Sequence, residues 1–284
     1  MDATPGAIVV AVGGHGWSAA VEYAAGEAVR RRRALHLVHA VSAEDPNEAV
    51  TGIELLADAV RYADALLDGL ALVTASLVPG PAVQVLEEAA EQADLVVVGR
   101  RPESVRTQAY VHSVAGGVTA RVGVPVVSVP DGWHPRVGGA TVVAGIDDPE
   151  KRDEVLAAAF VAALERRARL VVVAAVWRPP QTHVDDQGWQ QRLEEGLARA
   201  LADAAETYGE VPVEIHVRNT HADEALIEAS CSADLVVVGR HAGLVPGGLH
   251  LGPIARAVVR RAECPVQLAI PRSAHRVRAA AVRS

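Results

Sequence analysis

Along the first 130 positions, short apolar runs rich in β-branched residues alternate with longer stretches in which apolar side chains recur every three or four residues. Ile8 to Val12, Leu35 to Val41, Val73 to Val78, Leu95 to Val98 and Val124 to Val129 read as strands buried on both faces. Ser18 to Arg33, Asn47 to Leu70, Ala82 to Gln92 and Val114 to Arg121 read as helices, with Ser18 as the expected N-cap of the first. The alternation returns later, with strands expected at 142–146, 170–176, 213–217, 235–238 and 266–270. Strands and helices in strict alternation predict parallel sheets covered on both faces. The fold class is α/β, with five strands and four helices in each of two doubly wound, Rossmann-like halves.

The halves are copies. "ADLVVVGR" occurs at Ala93 to Arg100 and again, letter for letter, at Ala233 to Arg240. "VGVPVVSV" from Val122 aligns with "AECPVQLA" from Ala262, and "ALHLVHAV" from Ala34 aligns with "RLVVVAAV" from Arg169. A repeat of this length means a duplicated domain. The expected domains are 1–134 and 138–284, joined by "PDGWHPRVGG" at Pro130 to Gly139, with a basic, solvated tail from about residue 272.

Composition narrows the function. Half of the 284 residues are hydrophobic but only 3% are aromatic, so the core must be built from Val, Leu and Ala. With 27 basic and 35 acidic side chains the net charge is −8, which disfavours nucleic acid and acidic membranes. No leader or membrane-length apolar run is legible, and two cysteines give no disulfide framework, so a cytoplasmic setting is expected. Lys151 is the only lysine and lies outside any Gly-Lys-Ser/Thr, which excludes phosphate-loop NTPases and protein kinases.

Several stretches look chemical but have plain structural readings. Arg30 to Arg33 ends the first helix, as Glu165 to Arg169 does in the second copy, where cations oppose the carbonyl end of the dipole. "GHGWSA" at Gly14 to Ala19 fits a dinucleotide-binding glycine turn. The acidic residue expected after the second strand is missing, however, and the second copy has "DDPEKR" at that turn. His216, His221, His241 and His250 show no metal-site spacing, so no metal is expected.

The repeated octapeptide, the loop and helix after it, and "CPVQLAI" resemble the second half of a universal stress protein domain. "VVAGIDDPEKRDEVLAAAFVAAL" and "LVVVAAV" resemble its first half, so the chain is similar to a tandem universal stress protein over nearly its whole length. The resemblance implies the fold shared with adenine nucleotide alpha-hydrolases. It also implies an ATP or AMP site built on G-2x-G-9x-G-S/T after the fourth strand, where backbone N–H groups meet phosphate. Carried over by position, the second copy has Gly239, Gly252 and, one place late, Gly243; Pro253 replaces the Ser/Thr. Asp147 matches the acid that meets the nucleoside, and Gly145, Ala175, Val238 and Ile254 match the adenosine lining. Arg240 and His241 are candidate replacement donors.

The first copy departs further. Gly13 replaces the acid and Ala40, Val98 and Gly99 remain; Pro102 and His112 stand at the later glycines, and Ser113 keeps the hydroxyl. Arg100, Arg101 and Arg106 read mainly as a solvated loop. In the second copy, losing two hydrogen bonds to phosphate costs roughly 1.5–3 kcal/mol each, or about 10²- to 10⁴-fold in affinity. The expectation is a degenerate adenine-nucleotide pocket in the C-terminal domain of a stress-response protein that acts by ligand-dependent interaction. No nucleophile or general-base constellation is legible, so slow ATP hydrolysis is the most expected. The family's habit of pairing fifth strands implies an internal pseudo-dimer, Val124 to Val129 against Val266 to Ile270, with a homodimer possible beyond it. The alternatives are a scaffold of the same fold that has lost nucleotide, a nucleotide hydrolase, and an NAD-dependent enzyme using "GHGWSA".

Overall fold

The structure, a computed structural model, describes residues 4–13, 16–42, 44–100, 114–146, 152–178, 186–209, 211–242 and 249–270. The chain divides into two compact units, Met1–Pro135 with His241–Leu251, and Arg136–Arg240 with Gly252–Ser284.

The first unit contains β1 (Ala7–Ala11), α1 (Trp17–Arg31), β2 (Leu35–Val41), α2 (Pro46–Leu67), β3 (Val73–Pro79), α3 (Ala82–Ala90), β4 (Ala93–Arg100), α4 (Val114–Arg121) and β5 (Val126–Pro130). Its strands run parallel in the order β3-β2-β1-β4-β5, so the order reverses at β1. The second unit contains β6 (Thr141–Ile146), α5 (Arg152–Arg166), β7 (Arg169–Ala175), α6 (Asp186–Tyr208), β8 (Val213–Arg218), α7 (Ala222–Ser230) and β9 (Leu235–Val238). It is completed by α8 (Pro253–Arg261) and β12 (Val266–Leu268). Its order, β12-β9-β6-β7-β8, is again parallel and reverses at β6. In such sheets the reversal opens a crevice beyond the carboxyl ends of the strands.

Both cores are aliphatic, as the scarcity of aromatics requires. Val9, Val38, Val96, Val98, Val118 and Val126 pack with Leu86 under α3 and α4 in the first unit. Val142, Leu170, Val172, Leu235, Val236 and Val266 are their fully buried counterparts in the second.

The two copies also share a helix ending. Arg32 and Arg167 both adopt the left-handed conformation, φ 54° and 50°, although neither is glycine. Around Arg32 the N–H of Arg33 donates to Ala28 O (2.9 Å) and that of Arg32 to Val29 O (3.3 Å). Around Arg167, Ala168 N donates to Ala163 O (2.9 Å) and Arg167 N to Leu164 O (3.1 Å). These paired bonds satisfy carbonyls the helix leaves open, offsetting a left-handed strain of about 1–2 kcal/mol. The arginines around Arg32 are equally occupied. Arg30 and Arg31 bond the fully buried Glu27 carboxylate at 2.7 and 2.9 Å, and Arg33 pairs with Asp94 at 2.8 Å. The run is a structural helix end.

Two expectations need correction. Ser18 does not cap α1: the N-cap is Gly16, left-handed at φ 81°, and no side chain bonds the helix start. Ser18 lies inside the first turn, and the left-handed Gly16 before it has no Cβ to meet the carboxylate of Asp131. The segment after the second octapeptide is also not simply a loop. It carries β10 (His241–Ala242) and β11 (Leu249–His250), antiparallel, with His241 opposite His250.

Candidate functional site

In the second unit the candidate residues sit at the carboxyl ends of three neighbouring strands. Gly145 is the penultimate residue of β6, Ala175 the last of β7, and Val238 the last of β9. Gly239 and Arg240 follow β9 directly. Gly252 is the N-cap of α8, Pro253 its first residue and Ile254 its second. Pro253 has no N–H, but the first turn of a helix leaves that group unused and the fixed φ of proline suits it. Arg256 N donates to Gly252 O at 3.0 Å, so the helix is formed from its first turn. Asp147 and Gly243 lie outside the described residues, as do the side chains of His241 and His250.

Gly145 is a packing requirement in its own right. A Cβ there would stand 2.7 and 2.9 Å from the two methyls of Leu226 on α7, and 3.3 Å from Val238 Cγ1. Any larger residue would press on Leu226, so glycine suits the close approach of α7 to the strand.

The last two residues of the octapeptide differ between copies. In the first, β4 stays in register to its end, with Gly99 opposite Val129 and Arg100 opposite Pro130. In the second, pairing stops at Val238, opposite Leu268. Released from the ladder, Arg240 turns inward: it is 2% exposed, and burial lowers its guanidinium pKa to about 10. A buried cation keeps its charge only through partners within the fold or a bound anion.

The first-unit equivalents are arranged otherwise. Gly13 follows β1, with His39 Nδ1 bonded to the neighbouring carbonyl of Val12 at 2.6 Å. Ala40 and Val98 line the core, and Ser113 lies outside the described residues. A Cβ on Gly99 would stand 3.4 Å from the carbonyl oxygen of Gly16. Beyond it, the Asp131 carboxylate rests on Gly16 at the start of α1, while Asp131 N donates to Arg100 O (2.8 Å). A carbonyl oxygen and a carboxylate, both acceptors, thus lie beside the start of α1.

The packing of Asp131 against Gly16 and of Trp177 against His221 was not legible in the sequence. Trp177 stacks on His221 with ring centroids 5.2 Å apart and an interplanar angle of 9°. Among the described residues no group of three or more His, Cys, Asp or Glu is placed to hold a metal. No helix among them is long and apolar enough to cross a membrane.

The sequence model of the Universal stress protein family matches residues 140–269. A universal stress protein of Mycobacterium bovis is 30% identical over 272 residues, covering 88% of this chain and 92% of its own. One from Mycobacterium tuberculosis is 29% identical over 275 residues, covering 88% and 91%. The crystal structure of a universal stress protein from Archaeoglobus fulgidus superposes with a TM-score of 0.67 at 15% identity, over 92% of this chain and 96% of that one. The repeated octapeptide, the strand order of each unit and an identity that runs through both copies agree: the chain belongs to the universal stress protein family.

Proposed function

We propose that the second unit binds an adenine nucleotide, ATP or AMP, at the carboxyl ends of β6, β7 and β9, and that the chain responds to stress through ligand-dependent association. The tandem domains, 1–134 and 138–284, act in the cytoplasm as an internal pseudo-dimer, with turnover no greater than slow ATP hydrolysis. The observation that carries this reading is Arg240. The octapeptide is identical in both copies, yet the second buries its terminal arginine almost completely, next to Gly239, where Arg100 in the first is half-buried. A cation in a low-dielectric position attracts phosphate far more strongly than one in solvent. Gly239 and Gly252 supply approach for backbone donors, Gly243 is carried over with them from the glycine motif, and Asp147 is assigned to the nucleoside.

The first unit supports a division of labour. Gly13 offers no carboxylate to a nucleoside, and Gly99 faces the Gly16 carbonyl rather than open space. These features favour a structural role there. A scaffold without any ligand is the second reading, favoured by Pro253, which removes one donor from the start of α8.

Purified chain, boiled and analysed by mass spectrometry, distinguishes these readings. Adenine nucleotide in the supernatant, lost in Asp147→Ala, supports the first reading. An empty supernatant, with no uptake of added ATP, supports the scaffold. NAD would revive the reading based on "GHGWSA".

A further inference from the structure

We infer that the indole of Trp177 is the wall on which the planar base of the ligand stacks, making the second unit selective for purine-like heterocycles; this rests on the nucleotide reading above. Trp177 lies two residues beyond Ala175, the end of β7, in the strand next to β6 and Gly145. It is 52% exposed and its neighbour Val176 is 41% exposed, an unusual display in a chain with only 4 Trp and 4 Tyr. Neither side chain is part of the core.

The indole is held in place. His221, the N-cap residue of α7, covers one face in a parallel stack. Val176 N donates to Arg218 O at 3.0 Å, and Arg178 N donates to Asn219 Oδ1 at 3.0 Å, so both neighbours of Trp177 are tied to the segment at the end of β8. The Arg178 guanidinium stacks 5.5 Å from the ring centre of Trp189 on α6, tying the next residue to that helix. An aromatic face fixed in advance costs little conformational entropy when a second ring is laid on it. Stacking accepts any flat heterocycle and leaves the sugar and phosphate to other groups. The first copy has Ser42 at the corresponding place, two residues past Ala40, so this wall is confined to the second unit.

Full-length protein is titrated with AMP, adenosine and ribose 5-phosphate by calorimetry and by tryptophan fluorescence, alongside Trp177→Leu and Trp177→Phe, with thermal melts as folding controls. Trp177→Leu is expected to weaken AMP and adenosine by roughly 5- to 150-fold, with Trp177→Phe recovering much of the loss and ribose 5-phosphate unaffected. AMP binding equal in wild type and Trp177→Leu overturns the inference while leaving the nucleotide reading intact. If wild type binds no AMP, the nucleotide reading falls. Quenching by adenosine that disappears in Trp177→Leu then still supports the wall, and its absence overturns that too.

Discussion

The carboxylate of Asp131 rests on the α-carbon of Gly16: a methyl group at Gly16 would stand 2.5 Å from Oδ1 and 2.6 Å from Cγ. The contact joins the residue after β5 to the N-cap of α1 and is reinforced alongside. Trp133 meets Tyr23 edge-on with centroids 5.4 Å apart, and His134 Nδ1 lies 2.9 Å from Glu22 Oε2. The start of the interdomain connection is thereby strapped along α1.

Gly16→Ala should destabilise the first unit by more than about 2 kcal/mol, because left-handed strain of about 1–2 kcal/mol adds to the clash. Denaturant unfolding of Gly16→Ala, Asp131→Ala and the double variant separates the two parts. The double variant should recover the clash and keep the strain. Purely additive losses would show that the carboxylate does not press on Gly16.

Gly145→Ala is expected to cost about 1–2 kcal/mol in the second unit, since the new methyl must displace Leu226. Leu226→Ala in the same chain should remove most of that penalty, at the price of its own cavity. If Gly145→Ala is as stable as wild type, α7 does not pack as closely as described.

His36, buried on β2, bonds Thr74 Oγ1 through Nδ1 at 2.8 Å. Burial lowers its pKa from the ordinary imidazole value of 6.5. The unfolded chain therefore takes up a proton near pH 6.5 that the folded chain accepts only at lower pH. Stability is retained above that value and declines as the pH falls below it. Melting temperatures followed from pH 7.5 to 5 should fall more steeply for wild type than for His36→Asn. Parallel curves would mean that His36 does not contribute.

Arg240→Met keeps the bulk and removes the charge. ATP affinity should fall roughly 10- to 100-fold, the worth of one charge-assisted bond, while adenosine affinity changes little. Equal losses for both ligands would place the guanidinium away from the phosphates.

Periodicity carried most of the architecture. β9 begins and ends at the residues expected, and α4 spans Val114–Arg121 as read, because buried β-branched runs and helical spacing are local signals. What escaped depends on residues distant in the chain. The cap of α1 is Gly16, packed against the distant Asp131, and the Trp177–His221 stack joins loops after different strands. The pair β10 and β11, two residues each, is too short to have a period. Arg100 and Arg240 end identical octapeptides, so only the break in strand pairing after Val238 reveals that Arg240 is buried while Arg100 is half-buried.

Equilibrium dialysis of the full chain against labelled ATP up to millimolar concentrations addresses the central claim most directly. Saturation at one nucleotide per chain, reduced in Arg240→Met and lost in Asp147→Ala, is the outcome expected from a site in the second unit alone. No saturable uptake, or two equivalents per chain, would contradict it.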